Sequence, residues 1–202
     1  MKKLTQNKIL IPIVTLLSIL LGIFIAIKKI NSSTQNSELS IKNGNWIVNP
    51  NMDLKDNYQR AYIARIGVFA LDEKEALYFL ASKDSDGQIL SSDFDYQIIG
   101  KPPKGRYWSY TLYGEDYFLV KNDHNIHAIN KENFDINKPI IISSKRKEVN
   151  WLPSGNEKEF HITLRIYNPE KDVYENLESI KLPEIKRIEL SGIMVEDPCK
   201  QR

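Results

Sequence analysis

The chain has 202 residues, 42% of them hydrophobic and 27% charged, with a formal net charge of +2. Five of its 28 basic residues lie at or before Lys29 and no acid does, so the rest of the chain sets 23 basic residues against 26 acidic ones. That balance excludes a nucleic-acid surface, which needs a clustered basic patch, and the single cysteine, Cys199, excludes an internal disulfide.

In chain order, residues 1–8 are basic and precede nineteen uncharged residues, 9–27, bounded by Lys8 and Lys28. As a helix rising about 1.5 Å per residue this run covers roughly 28 Å, close to the ~30 Å hydrocarbon core of a bilayer. Its only polar interruptions are Thr15 and Ser18, whose hydroxyls can bond to the backbone one turn earlier. Pro12 reads as lying near the helix start, where a missing N–H matters least. No small-x-small cleavage site follows, since Ala26 is succeeded by Ile27, Lys28 and Lys29. This favours an uncleaved signal anchor over a cleaved signal peptide. Lys2, Lys3, Lys8 and the α-amine outnumber Lys28 and Lys29, so the positive-inside rule places the N-terminus in the cytoplasm. The bilayer is thus the first expected partner, through residues 9–27, at the cytoplasmic membrane. The rest of the chain is expected in the periplasm or outside the cell.

Residues 28–45 read as a polar tether, because 31–43 carry Ser, Thr, Asn and Gln and no aromatic residue. The domain is expected over 46–190, from Trp46, and 191–202 read as a tail. Within it, residues 53–71 carry Tyr58, Tyr62, Ile66 and Phe69 at helical spacing. Asp72, with Glu75 three residues on, reads as a capping box opening a second helix over 73–83. Asp84-Ser85-Asp86-Gly87 then forms a turn cluster. After Gly87 short β-branched and aromatic segments alternate with turn residues, giving strands at 96–99, 106–113, 116–121, 126–130, 140–143 and 160–167. Gly114-Glu115 reads as a hairpin turn. Helices first and strands afterwards predict a mainly β (α+β) domain with a helical N-terminal cover, built as an antiparallel sandwich.

Three strings resemble a known family together and in order: RAYIARIGVFALDEKEALY from Arg60, YWSYTLYGEDYFLVKN from Tyr107, and NWLPSGNEKEFHITLRIYNP from Asn150. They are similar to bacterial domain-of-unknown-function family 1214. The matching residues are Trp108, Ser109, Thr111 and Tyr113, then Asn150 to Pro153, then Arg165, Tyr167 and Pro169. The likeness spans roughly Trp46 to Ile188. The chain departs from the family pattern at Asp135-Ile136, where Asp-Gly is usual, and at Ile180, where a Trp is usual. The resemblance implies a β-sandwich of jelly-roll character and no settled reaction. It also implies that a second domain, fused in longer relatives, comes to this short anchored form as a separate envelope protein.

The candidate chemistry lies on two strands. Residues 160–167 alternate, with Phe160, Ile162, Leu164 and Ile166 on a core face and His161, Thr163, Arg165 and Tyr167 on the other. Residues 108–113 divide likewise, setting Ser109, Thr111 and Tyr113 apart from Trp108, Tyr110 and Leu112. If the polar faces meet, Arg165, Tyr167, Tyr113, Thr111 and Ser109 line a hydrogen-bonding groove suited to a carboxylate, a phosphate or a sugar. The default reading of such a face is a solvated surface, or an Arg165 that holds a loop carboxylate. His124 and His127 in DHNIH are weak metal candidates, since a site needs three or more ligands and a second shell. No cofactor motif is present: there is no P-loop, no G-x-G-x-x-G and no G-x-S-x-G around Ser154. The expected function is ligand or partner binding at the cell envelope. The alternative is an envelope hydrolase acting on a glycan or small molecule, for which no triad or carboxylate pair speaks.

Overall fold

The computed structural model describes residues 2–33, 40–48, 57–66 and 71–188. The tail with Cys199, the stripe residue Phe69 and the tether segment 34–39 lie outside them. The chain divides into two compact units, one helical and one built of strands.

The helical unit holds α1 (Lys2–Ser33) and α2 (Asn57–Ile66). The Leu10–Ile30 stretch of α1, apolar up to Ile27, is long enough to cross a membrane and unburied, a pattern that suits an anchor or a signal sequence. Thr15 Oγ1 donates to the Ile11 carbonyl at 2.9 Å and Ser18 Oγ to that of Val14 at 2.8 Å, as the sequence predicts. Pro12 differs from expectation: α1 begins at Lys2, so the proline is interior to it and leaves the carbonyl four residues earlier without its helical donor. The Lys29 ammonium lies 4.8 Å from the Tyr58 ring centre on α2.

The strand unit opens with β1 (Ile41–Asn43) and β2 (Trp46–Val48), so the described sheet begins before Trp46. β3 (Ala76–Ala81) follows, then β4 (Asp95–Ile99), β5 (Gly105–Gly114), β6 (Ala128–Asn130) and β7 (Ile140–Ser143). β8 (Trp151–Pro153), β9 (Phe160–Pro169), the short α3 (Lys171–Glu175) and β10 (Glu184–Ile188) complete it. Six strands make one sheet in the order β1-β2-β3-β9-β5-β6, and four make a second in the order β10-β4-β7-β8. All pairs are antiparallel except β7–β8, which is parallel and makes the second sheet mixed. The sheets pack face to face in a sandwich-like arrangement around one apolar cluster, with the Tyr96 and Phe160 rings edge to face at 6.0 Å. Leu112, Leu164 and Ile166 are buried there, as their alternation predicts.

The second N-terminal helix, expected over 73–83, is instead turn 73–75 and strand β3. Asp72 Oδ1 accepts from the Lys74 amide at 3.0 Å rather than opening a helix. The reason is position: β3 lies between β2 and β9 and is buried on both faces, so its apolar residues do not alternate. Residues 116–121 form a turn with an isolated Tyr113–Leu119 bridge in place of a strand. The 84–87 cluster is a turn, as read: Asp84 Oδ1 accepts from the amides of Asp86 and Gln88, and Gly87 has φ of 83°.

Candidate functional site

β5 and β9 pair over their full length, from Gly105 against Pro169 to Gly114 against Phe160. Gly105 opens this pairing because a Cβ there would meet Ile166 Cγ2 at 2.5 Å. The register sets Ser109 opposite Arg165, Thr111 opposite Thr163, Tyr113 opposite His161 and Tyr107 opposite Tyr167. β3 then sets Tyr78 against the other side of Arg165. Paired residues share a face, so one hydroxyl-rich surface spans three strands with Arg165 at its centre.

The guanidinium is held by side chains. Arg165 Nη1 donates to Thr111 Oγ1 at 3.0 Å and Nη2 donates to the Tyr113 hydroxyl. Its carbon lies 5.3 Å from the Tyr113 ring centre and 6.0 Å from that of Tyr78. Among the described residues no carboxylate lies within ion-pair distance of it. The alternative of an Arg165 that holds a loop carboxylate finds no partner among the described residues. The face is mixed in exposure: Ser109, Thr111, Thr163 and Tyr78 on it are buried, whereas Arg165, Tyr113, His161 and Tyr167 are half-buried.

The electrostatics follow from that burial. The Tyr78 hydroxyl is buried without a hydrogen-bond partner. Its pKa is pushed up, first by desolvation and then by Tyr167, while Arg165 acts the other way. His161 stacks on Tyr113 at 5.5 Å and meets Tyr117 at 5.4 Å. Desolvation lowers its pKa from 6.5 to about 4, so the ring is neutral at pH 7. Arg165 is then the cation of a face made of phenols, hydroxyls and a neutral imidazole. Two of its five N–H groups are spent on neutral oxygens, which fix the plane of the fork without cancelling its charge.

Of the five residues singled out in the sequence, the structure brings Arg165, Thr111 and Tyr113 into direct contact and sets Ser109 beside Arg165. Tyr167 lies one alternation further along β9, its ring 6.0 Å from that of Tyr107. Sequence reasoning missed Tyr78, because its strand reads as a helix. It placed His161 on the right face without the stacking role, which the Tyr113–His161 pairing supplies.

His124 and His127 do not form a cluster with further ligands. Among the described residues no group of three or more His, Cys, Asp or Glu side chains is placed to hold a metal. His124 is exposed and packs edge to face on Trp151 at 5.0 Å. Asn122 shapes the DHNIH loop, its Oδ1 accepting from the His124 and Ile126 amides. Ser154 is fully buried, with an unpartnered hydroxyl, and offers no exposed nucleophile.

Comparison with known proteins gives a family without an activity. Residues 75–171 match the model of a family described as "Protein of unknown function (DUF1214)". The fold is similar to the crystal structure of the VPA0106 protein from Vibrio parahaemolyticus, with 31% identity and a TM-score of 0.53. That match covers 66% of this chain and 36% of that one, so the chain spans about a third of the length of this relative. An uncharacterized protein from Burkholderia cenocepacia matches at 15% identity and a TM-score of 0.43, covering 60% of this chain and 31% of that one. Among curated proteins none matches.

Proposed function

We propose, for a chain whose residues 75–171 belong to the DUF1214 family, a membrane-anchored, non-catalytic binding domain at the bacterial cell envelope. Its ligand on this reading is a small anion or a hydroxyl-rich molecule, seated on the three-strand face around Arg165. One observation carries the reading: a half-buried guanidinium held by Thr111 and Tyr113, two neutral hydroxyls, with no carboxylate among the described residues to balance it. Burying an uncompensated charge is costly, and an Arg retained only for structure would be expected to have an acid beside it. An anion or a set of sugar hydroxyls completes the fork and also supplies a partner for the Tyr78 hydroxyl.

The apolar α1 is the anchor on this reading, with its N-terminus in the cytoplasm and the β unit beyond the membrane. The jelly-roll character and a separate envelope partner chain, both implied by the family resemblance, belong to the same proposal. Carbonate washing should leave the chain in the membrane fraction, and full release would contradict the anchor. Ligand binding is tested by thermal unfolding of wild type and Arg165→Lys with and without phosphate, acetate, citrate and neutral sugars. At least one compound should raise the wild-type midpoint and leave the variant unmoved, since an ammonium cannot reproduce the planar fork. Equal loss of stability under every condition would make Arg165 structural.

A further inference from the structure

A second feature lies away from the Arg165 face. Between the two sheets, at the end where β4 leads into β5, a cleft of about 730 Å³ opens. This volume is in the range of small-molecule sites. Its floor is apolar and aromatic: Trp108, Phe134, Ile98 and Ile140. The half-buried Trp108 ring meets Phe134 edge to face at 5.3 Å and Tyr110 at 5.7 Å, so the floor is rigid. At the lip, Ile136 is 73% exposed, a large apolar residue that the core does not use.

The rim is basic. Lys101, Lys104, Lys131 and Lys138 line the cleft against a single acid, Glu170. Glu170 pairs with Lys104 at 3.6 Å, both well exposed, which leaves three lysines uncompensated among the lining residues. Lys131 is tethered rather than loose, for its Nζ donates to the Arg106 carbonyl of β5 at 3.0 Å. The opposite wall is fixed by Asn150, which carries a left-handed φ of 49°. Asn150 Nδ2 donates to the carbonyls of Asp135 and Lys138 at 2.7 and 2.8 Å, and its Oδ1 accepts from the Asp135 amide at 2.9 Å. The turn that carries Ile136 and Lys138 is therefore pinned, and the cleft is preformed.

We infer that this cleft binds an amphipathic monoanion: a carboxylate on a short aliphatic or aryl-alkyl tail. The tail lies on Trp108 and Phe134 beneath Ile136, and the carboxylate sits among the rim ammonium groups. The charge asymmetry of the rim selects an anion, and the apolar floor rejects a small hydrated one. This site shares no residue with the Arg165 face, so either can fail without the other.

The test uses the full chain in nanodiscs and follows tryptophan fluorescence during titration with octanoate, 1-octanol and acetate. Octanoate should give a saturable change, and acetate and octanol should bind at least about tenfold more weakly. Lys101→Glu with Lys138→Glu should weaken octanoate by about tenfold or more, because like charges then face the carboxylate. Ile136→Glu, at an exposed position that folding does not use, should do the same, whereas Arg165→Lys should leave octanoate binding intact. Octanol binding as well as octanoate, no saturable change, or unchanged octanoate binding in the folded lip and rim variants would each overturn the proposal.

Discussion

The two faces of the six-stranded sheet come from the same residues taken alternately, yet they are held by different physics. On the inner face Tyr110, Leu112, Leu164 and Ile166 exclude water and ask only for volume and shape. On the outer face Ser109, Thr111, Thr163 and Tyr78 are almost as dry, but they surround a cation and depend on hydrogen-bond geometry. The inner face tolerates conservative change in side-chain detail and punishes lost volume. The outer face does the reverse: it punishes any change in donor geometry, even at constant charge. Its guanidinium and the rings of Tyr113, His161 and Tyr167 are only half-buried, so the outer face, unlike the inner one, stays open to what the proposal would seat there.

The comparison breaks most visibly on the inner side. Leu164→Ala, at a residue with no exposed surface, should cost about 2–5 kcal/mol in chemical denaturation. A cost near zero would mean that the two sheets do not pack as described. Asn150→Ala should cost less, about 1–3 kcal/mol, by orphaning the Asp135 and Lys138 carbonyls and the Asp135 amide. It should also speed amide exchange in residues 135–138 and leave the β5–β9 pairing protected. Uniform loss of protection across the sheet would show that the asparagine holds more than its turn.

A smaller effect sharpens the outer side. His161 titrates near 4 in the fold against an ordinary 6.5, because burial opposes its charged form. Between those values the unfolded chain binds a proton that the folded chain refuses. The His161 contribution to stability is therefore fully present above about pH 6.5 and is lost as pH falls toward about 4. His161→Gln should flatten that part of the stability profile by about one proton's slope. An unchanged profile would mean that the ring is wetter than its stacking on Tyr113 implies.

How much of this was legible in the sequence depended on whether a strand has one wet side. Residues 160–167 alternate strictly, so their strand, their core residues and the Arg165 face could all be read directly. Residues 76–81 lie at the centre of a sheet and are apolar on both sides, so period two is lost and the segment passes for a helix. That misreading hid Tyr78 from the site. β1 pairs with the adjacent β2 through a turn at Gly44-Asn45, with Gly44 at φ of 63°, a local hairpin signal that the reading of 28–45 as a tether passed over. β10, at the edge of the second sheet, is instead set by β4 far earlier in the chain and leaves little local signal. The cleft behind Trp108 was illegible for the same reason, since its lysines come from separate loops that only the packed sheets bring together.

The central question is whether the Arg165 face holds a ligand. The most direct measurement labels tyrosine rings with ¹³C in the full chain and titrates it with phosphate, citrate and glucose, reading the ring resonances by NMR. The rings of Tyr78, Tyr113 and Tyr167 should shift together and saturably with at least one of these compounds, and the shifts should vanish in Arg165→Lys. If no compound moves them, or if the same shifts persist in the variant, Arg165 does not form a binding site and the outer face is structural.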